Sequence, residues 1–258
     1  MILRRKRKEL QVDKLVIKIY GDRRSMGIAA AEHVAHLVNK FMERKSKVTM
    51  VFAAAPSQNE FLEELRKRED IDWDRIVAFH LDEYVGISSD APQSFRRFLR
   101  EKLFDYVKPS EVHYINGNAV DLEAECRRYA QLISSYGLDV ACIGIGENGH
   151  IAFNDPHVAN FEDPFLVKVV ELDEVCRMQQ VHDGMFSDIS EVPRYAITLT
   201  IPAIMMAGHI SCVVPSKRKA EAVKRALKGP ISPECPASII RTHDSAVLFL
   251  DKDAASKI

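Results

Sequence analysis

The sequence predicts an α/β protein, a Rossmann-like three-layer α/β/α fold around a mainly parallel sheet. Apolar runs of strand length alternate with amphipathic stretches almost from the start of the chain, the pattern of a parallel sheet with helices on both faces. Residues 196–215 form a nearly continuous apolar run instead of an alternating one, as expected of strands covered on both sides. A length of 258 residues suffices for one large domain with a substantial core.

The elements follow in order. KLVIKIYG at 14–21 reads as the first strand, and Val34, Leu37, Val38 and Phe41 mark one face of a long helix after it. KVTMVFAAA is the second strand, followed by a helix from about Ser57 to Arg68 and by a third strand, RIVAFHL at 75–81. Leu122, Cys126, Tyr129 and Ile133 make another amphipathic helix, with Gly137 placed to end it. LDVACI at 138–143 and FLVKVVE at 165–171 read as strands. Residues 196–215 carry no Lys, Arg, Asp or Glu and approach the roughly 20 residues that span a bilayer. Thr198, Thr200, Pro202, Gly208, His209 and Ser211 interrupt them, so a buried strand, turn and strand is expected and no membrane span. Ser216 is placed to cap a last helix through Leu227, which Gly229 and Pro230 terminate.

Residues 13–258 read as a single domain and residues 1–12 as a basic, solvated N-terminal extension containing RRKRK at 4–8. The extension is not a signal peptide, because ELQVDK follows where an apolar segment is needed. A net charge of −1, spread along the chain, provides no global field for nucleic acid or an anionic membrane. Five widely spaced cysteines without a C-x-x-C pair point to reduced thiols in a cytoplasmic protein, and nine histidines show no metal-ligand spacing. No metal is implied.

In open α/β sheets ligands gather at the carboxyl ends of the strands. Three loops lie there: AAAPSQ at 53–58, LDEYVG at 81–86 and GIGENGHIAFNDP at 144–156. The last contains G-x-G-x-x-G, but Asn154, Asp155, Pro156 and Pro164 exclude the helix that a dinucleotide pyrophosphate needs after the third glycine. Asp82 and Glu83 sit where a strand leaves the sheet, where partial burial raises a carboxylate toward a useful general base; a solvated turn or a helix cap is the plain alternative. His150, beside Glu147, Asn148 and Asp155, is a candidate acid/base whose tautomer its neighbours fix; a satisfied buried histidine is the alternative. Ser57 stands at a helix start that suits an anion or a simple cap, and Lys217, Arg218 and Lys219 occupy a first helical turn, where cations oppose the dipole and hint at an anionic ligand.

Taken together, FHLDEYVG at 79–86, SFRRFLREKLFD at 94–105, IGIGENGHIAFNDP at 143–156 and VPRYAITLT at 192–200 resemble the glucosamine-6-phosphate deaminase (isomerase) family over most of the chain. The resemblance implies conversion of glucosamine 6-phosphate and water to fructose 6-phosphate and ammonia, without a cofactor. It implies that Asp82 moves a proton between C2 and C1 of the opened sugar and that His150 opens the ring, assisted from positions 148 and 155. The family usually places an Asp and a Glu there; this chain has Asn148 and Asp155. The resemblance makes Ser57, Gln58, Glu83, Gly149 and Lys219 the expected substrate-binding residues. The family's T-G-G-T-P phosphate loop is replaced by AAPSQ at 54–58, and its phosphate-binding arginine finds no clear match in 177–186, where Arg177 aligns elsewhere. A small-molecule sugar phosphate is the expected partner, and a homo-oligomer is compatible with the family. Two other readings stay open: a 6-phosphogluconolactonase-like hydrolase, against which the DEYVG segment speaks, and a non-catalytic sugar-phosphate sensor, against which Asp82 and His150 speak.

Overall fold

The computed structural model describes residues 6–258. Eleven strands occur among them: β1 (Lys6–Val12), β2 (Leu15–Tyr20), β3 (Val48–Phe52), β4 (Ile76–His80), β5 (Asp82–Tyr84), β6 (Glu111–His113), β7 (Val140–Ile143), β8 (Val167–Glu171), β9 (Tyr195–Leu199), β10 (His209–Val214) and β11 (Ala246–Asp251). The α-helices are α1 (Arg23–Met42), α2 (Asn59–Leu65), α3 (Phe95–Leu99), α4 (Asp105–Val107), α5 (Leu122–Tyr136), α6 (Glu174–His182), α7 (Ile201–Met205) and α8 (Ala220–Lys228).

The main sheet runs β1-β2-β11-β10-β7-β3-β4-β6, parallel from β2 to β6, with only β1 antiparallel at its edge. Each central parallel strand divides its side chains between two cores. Val48, Met50 and Phe52 of β3 join α1, α2 and α3 on one face, while Val51 joins α5, α7 and α8 on the other. This is the three-layer arrangement that the sequence predicts, and it explains why the central strands are apolar at most positions. β5, β9 and β8 form a separate antiparallel sheet that the apolar pattern does not announce.

Three local expectations change. The segment expected to be a solvated extension enters the main sheet, because Leu10 and Val12 pack against its core as β1 pairs with β2; residues 1–5 lie outside the described residues. The turn within 196–215 is the helix α7, started by Pro202 and by Thr200, whose hydroxyl accepts from Ala203 N–H at 3.3 Å. Ser216 does not cap the last helix. It holds φ 87°, its N–H donates to both oxygens of Asp251 at 3.1 Å, and the turn Lys217–Lys219 separates it from α8. Gly137 at φ 70° ends α5 and Gly229 ends α8, as the sequence indicates. All five cysteines are free and buried, and among the described residues no helix is long and apolar enough to cross a membrane.

Candidate active site

The neighbouring strands β10, β7, β3 and β4 all end on one side of the sheet, so the loops that leave them converge there. They enclose a cleft with about 510 Å³ of empty space up to its open mouth, lined among others by Ser57, Gln58, Asp82, Gly146, His150 and Lys219. Asp82 and His150 therefore share one cavity.

Strand geometry aims the acidic pair. Consecutive residues of a strand point to opposite faces, so Asp82 faces the cleft and Glu83 faces away. The Asp82 carboxylate has no hydrogen-bond partner among the described residues. Burial, followed by the charge of Glu83, pushes its carboxyl well above the ordinary range. Its backbone is anchored from below: His80 Nδ1 donates to Asp82 O at 2.8 Å, and His80 Nε2 accepts from Ile115 N–H at 2.9 Å, which fixes one tautomer. Burial lowers the His80 imidazole to about 3, keeping it neutral. Glu83 was expected to bind substrate, and the structure assigns it other work. Its carboxylate accepts from Ser94 Oγ at 2.8 Å and from the N–H groups of Tyr84, Phe95 and Arg96 at 3.0, 3.2 and 3.0 Å, holding the start of α3.

The loop after β7 contains no helix; it closes on itself through Gly146 N–H to His150 O at 2.9 Å and Gly149 N–H to Gly146 O at 3.1 Å. The dinucleotide reading fails here. The glycines make room: a methyl group on Gly146 would stand 2.2–2.5 Å from three atoms of the His150 ring, and Gly149 holds φ 94° against the Cys235 thiol. Asn154 Nδ2 donates to Leu199 O at 2.8 Å and Phe153 N–H to Thr198 Oγ1 at 3.0 Å, so the loop docks on β9. Thr198 is also the register partner of Asp82 across β5 and β9. One strand thus sets both candidate catalytic groups.

His150 Nδ1 lies 2.8 Å from Asp155 Oδ1, close enough for a charge pair but not aligned as a hydrogen bond. Asn148 does not face the imidazole. Its Nδ2 donates to Asp155 Oδ1 at 2.9 Å and to Asp173 Oδ2 at 2.8 Å, and its Oδ1 accepts from His150 N–H at 2.9 Å. Burial raises Asp155, yet the His150 contact, the Asn148 amide and Asp173 N–H together hold its carboxyl below the ordinary value. Asn148 is the neutral clamp that keeps two carboxylates side by side.

At the far end of the cleft stands Lys219, 5% exposed and without a hydrogen-bonding or ion-pair partner for its ammonium group among the described residues. Burial lowers it to about 8, against the pull of Asp183 and Glu147. Gln58 Nε2 donates to Val213 O at 3.1 Å and to Ser57 Oγ at 3.2 Å, fixing the AAPSQ loop. Beyond Lys219 a second cleft of about 460 Å³ begins; Ser57 and Lys219 line both, and His182 and Arg218 line the outer one. Arg218 is half exposed; its guanidinium donates to His182 O at 3.2 Å and reaches Glu147 and Asp183 at 3.7 and 3.9 Å. Arg177 is tied to Ile189 O and Val192 O at 2.6 and 2.9 Å and lines neither cleft. Gln179 and Gln180 of α6, buried and lining the inner cleft, escape sequence reading because an isolated amide pair on a helix carries no motif. Gln179 Oε1 accepts Glu147 N–H at 2.8 Å and so steadies the histidine loop.

A doubly wound α/β chain with a carboxylate and an imidazole in one cleft, and an unpaired buried lysine at its end, has the make-up of an acid/base enzyme for an anionic small molecule. Residues 21–249 match the family described as glucosamine-6-phosphate isomerases/6-phosphogluconolactonase, and the chain belongs to that family. It is 35% identical over 234 residues to a glucosamine-6-phosphate deaminase of Thermoanaerobacter pseudethanolicus, covering 88% of this chain and 90% of the relative. It is 40% identical over 195 residues to glucosamine-6-phosphate deaminase 1 of Bacillus subtilis, covering 74% and 78%. A monomeric glucosamine-6-phosphate deaminase superposes with a TM-score of 0.86 at 33% identity, covering 94% of this chain and 99% of that one. The 6-phosphogluconolactonase of Thermotoga maritima, with a TM-score of 0.75 at 24% identity over 92% and 100% of the two chains, shares the fold.

Proposed function

We propose that the protein converts glucosamine 6-phosphate and water to fructose 6-phosphate and ammonia. The observation that carries this reading is the joint presence of Asp82, His150 and unpaired Lys219 along one cleft. The phosphate sits where the two clefts meet, between Ser57 and Lys219, with Arg218 and His182 facing it from the outer side. The sugar then extends past the wall formed by Gly144 and Gly146 toward Asp82.

His150 opens the ring by moving a proton between the ring oxygen and the C1 hydroxyl, and Asp155 stabilises the imidazolium formed on the way. With C1 a free aldehyde, the C2 proton becomes acidic and Asp82 removes it. Its partnerless carboxylate has no hydrogen bond to break, and its raised affinity for a proton suits a group that takes one from C2 and returns it to C1. The product is an imine at C2; water adds there and ammonia leaves. No electron leaves the substrate, so the reaction is redox-neutral.

Ammonia release across a panel of amino sugars, with and without the 6-phosphate, tests the reading. Ammonia with equimolar fructose 6-phosphate is expected from glucosamine 6-phosphate alone. Equal kcat/KM on unphosphorylated glucosamine would overturn the phosphate placement, and hydrolysis of a 6-phosphogluconolactone without ammonia from any amino sugar would favour the lactonase reading.

A further inference from the structure

Behind His150, on the side turned toward α6, the donor atoms of His150, Asp155 and Cys176 lie within 4.8 Å of one another, and all three residues are buried. His150 Nδ1, on a side chain more than nine-tenths buried, makes no aligned hydrogen bond and points into this cluster, 2.8 Å from Asp155 Oδ1. Asp173 adds a second carboxylate, joined to Asp155 through the Asn148 amide. Neither carboxylate has a Lys or Arg within ion-pair distance among the described residues. Two acidic groups are thus compensated by an imidazole, an amide, backbone N–H groups and the Cys176 thiol, which is hydrogen-bonded to Asp155.

We propose that His150 Nδ1, Asp155 and Cys176 Sγ form an inhibitory site for a thiophilic divalent cation of the zinc class. Zinc bound to nitrogen, oxygen and sulfur at about 2.0–2.3 Å has ligand-to-ligand edges of roughly 3.3–3.6 Å, so small side-chain shifts from the present separations complete the site. A thiolate and an imidazole select zinc over magnesium or calcium, which take oxygen ligands. On binding, the Cys176 thiol proton leaves to solvent as the sulfur–metal bond forms, and Nδ1 donates its lone pair. The charge of the ion is balanced by the Asp155 carboxylate and the new thiolate. An imidazole held by a metal no longer exchanges protons with a sugar, so occupancy stops ring opening while Ser57 and Lys219 remain free to bind the phosphate.

The test uses chelator-stripped protein titrated with Zn2+ and with Co2+, following bound metal by dialysis and thiolate-to-cobalt charge transfer by absorption, readouts independent of which sugar is turned over. One equivalent per chain, a charge-transfer band and at least a tenfold fall in kcat with little change in KM are expected, all reversed by chelator. Cys176→Ser removes the band and raises the half-inhibitory Zn2+ concentration at least tenfold; Cys176→Ala serves if the serine variant folds poorly. Substoichiometric binding, a cobalt spectrum without the thiolate band, or unchanged zinc sensitivity in the Cys176 variants would overturn the proposal.

Discussion

Replacing Lys219 by methionine separates what the fold wants from what the ligand wants. The Lys219 amine falls from its ordinary 10.5 to about 8 because it is buried, and at roughly 1.4 kcal/mol per pH unit the fold disfavours its charged form by on the order of 3 kcal/mol. Methionine fills the same space without charge, so ligand-free Lys219→Met is expected to be about 1–3 kcal/mol more stable than the parent at pH 7. The sign with pH follows. Between about 8 and 10.5 the unfolded lysine holds its proton and the folded one has released it, so the parent gains stability as pH rises through that window and the gap between the two proteins narrows. Urea unfolding at pH 7 and pH 10, with and without inorganic phosphate, measures all of this. Phosphate stabilises the parent by mass action and stabilises the variant much less. A variant less stable than the parent at pH 7, together with equal stabilisation of both by phosphate, would refute the reasoning.

Other substitutions probe other parts of the cleft. Gly146→Ala places a methyl group 2.2 Å from His150 Cε1, so the ring must move; kcat is expected to fall about 100-fold and stability by about 1–3 kcal/mol, and near-parental kcat would contradict the described ring position. Arg218→Gln is expected to raise KM for the phosphorylated sugar about 10- to 100-fold with little change in kcat, and steady-state kinetics would expose an unchanged KM. Asn148→Asp replaces the amide between Asp155 and Asp173 with a third carboxylate. Stability at pH 7 is expected to drop by about 1–3 kcal/mol and to recover in acid as a carboxyl takes up a proton. The added negative charge is expected to shift the pH–rate profile; an unchanged profile would show that position 148 does not influence the proton transfers in the cleft.

The alternation of apolar and amphipathic runs foretells the parallel sheet, since strands covered on both faces leave a strong compositional trace. The antiparallel β5-β9-β8 sheet leaves little, because β5 has only three residues and its partners are distant in sequence. At the site, motif position locates Asp82, His150 and Lys219, and the cleft unites them. The resemblance places Glu83 among the substrate-binding residues, yet the two-residue period of a strand turns it from the face that Asp82 occupies. The resemblance implies that position 148 assists the imidazole of His150. The actual bond of Asn148 to Asp173, 25 residues away, depends on how α6 docks, which no local pattern encodes. The outer cleft likewise arises from segments far apart in the chain, from Arg23 to Lys219.

The Asp82→Asn variant tests the central claim most directly, because it keeps the shape of the side chain and removes its capacity to carry a proton. Its turnover of glucosamine 6-phosphate is expected to fall at least about 1,000-fold while calorimetric affinity for fructose 6-phosphate stays within a few-fold of the parent. Ammonia release at close to the parental rate would mean that another group moves the C2 proton, and the account given of this cleft would not stand.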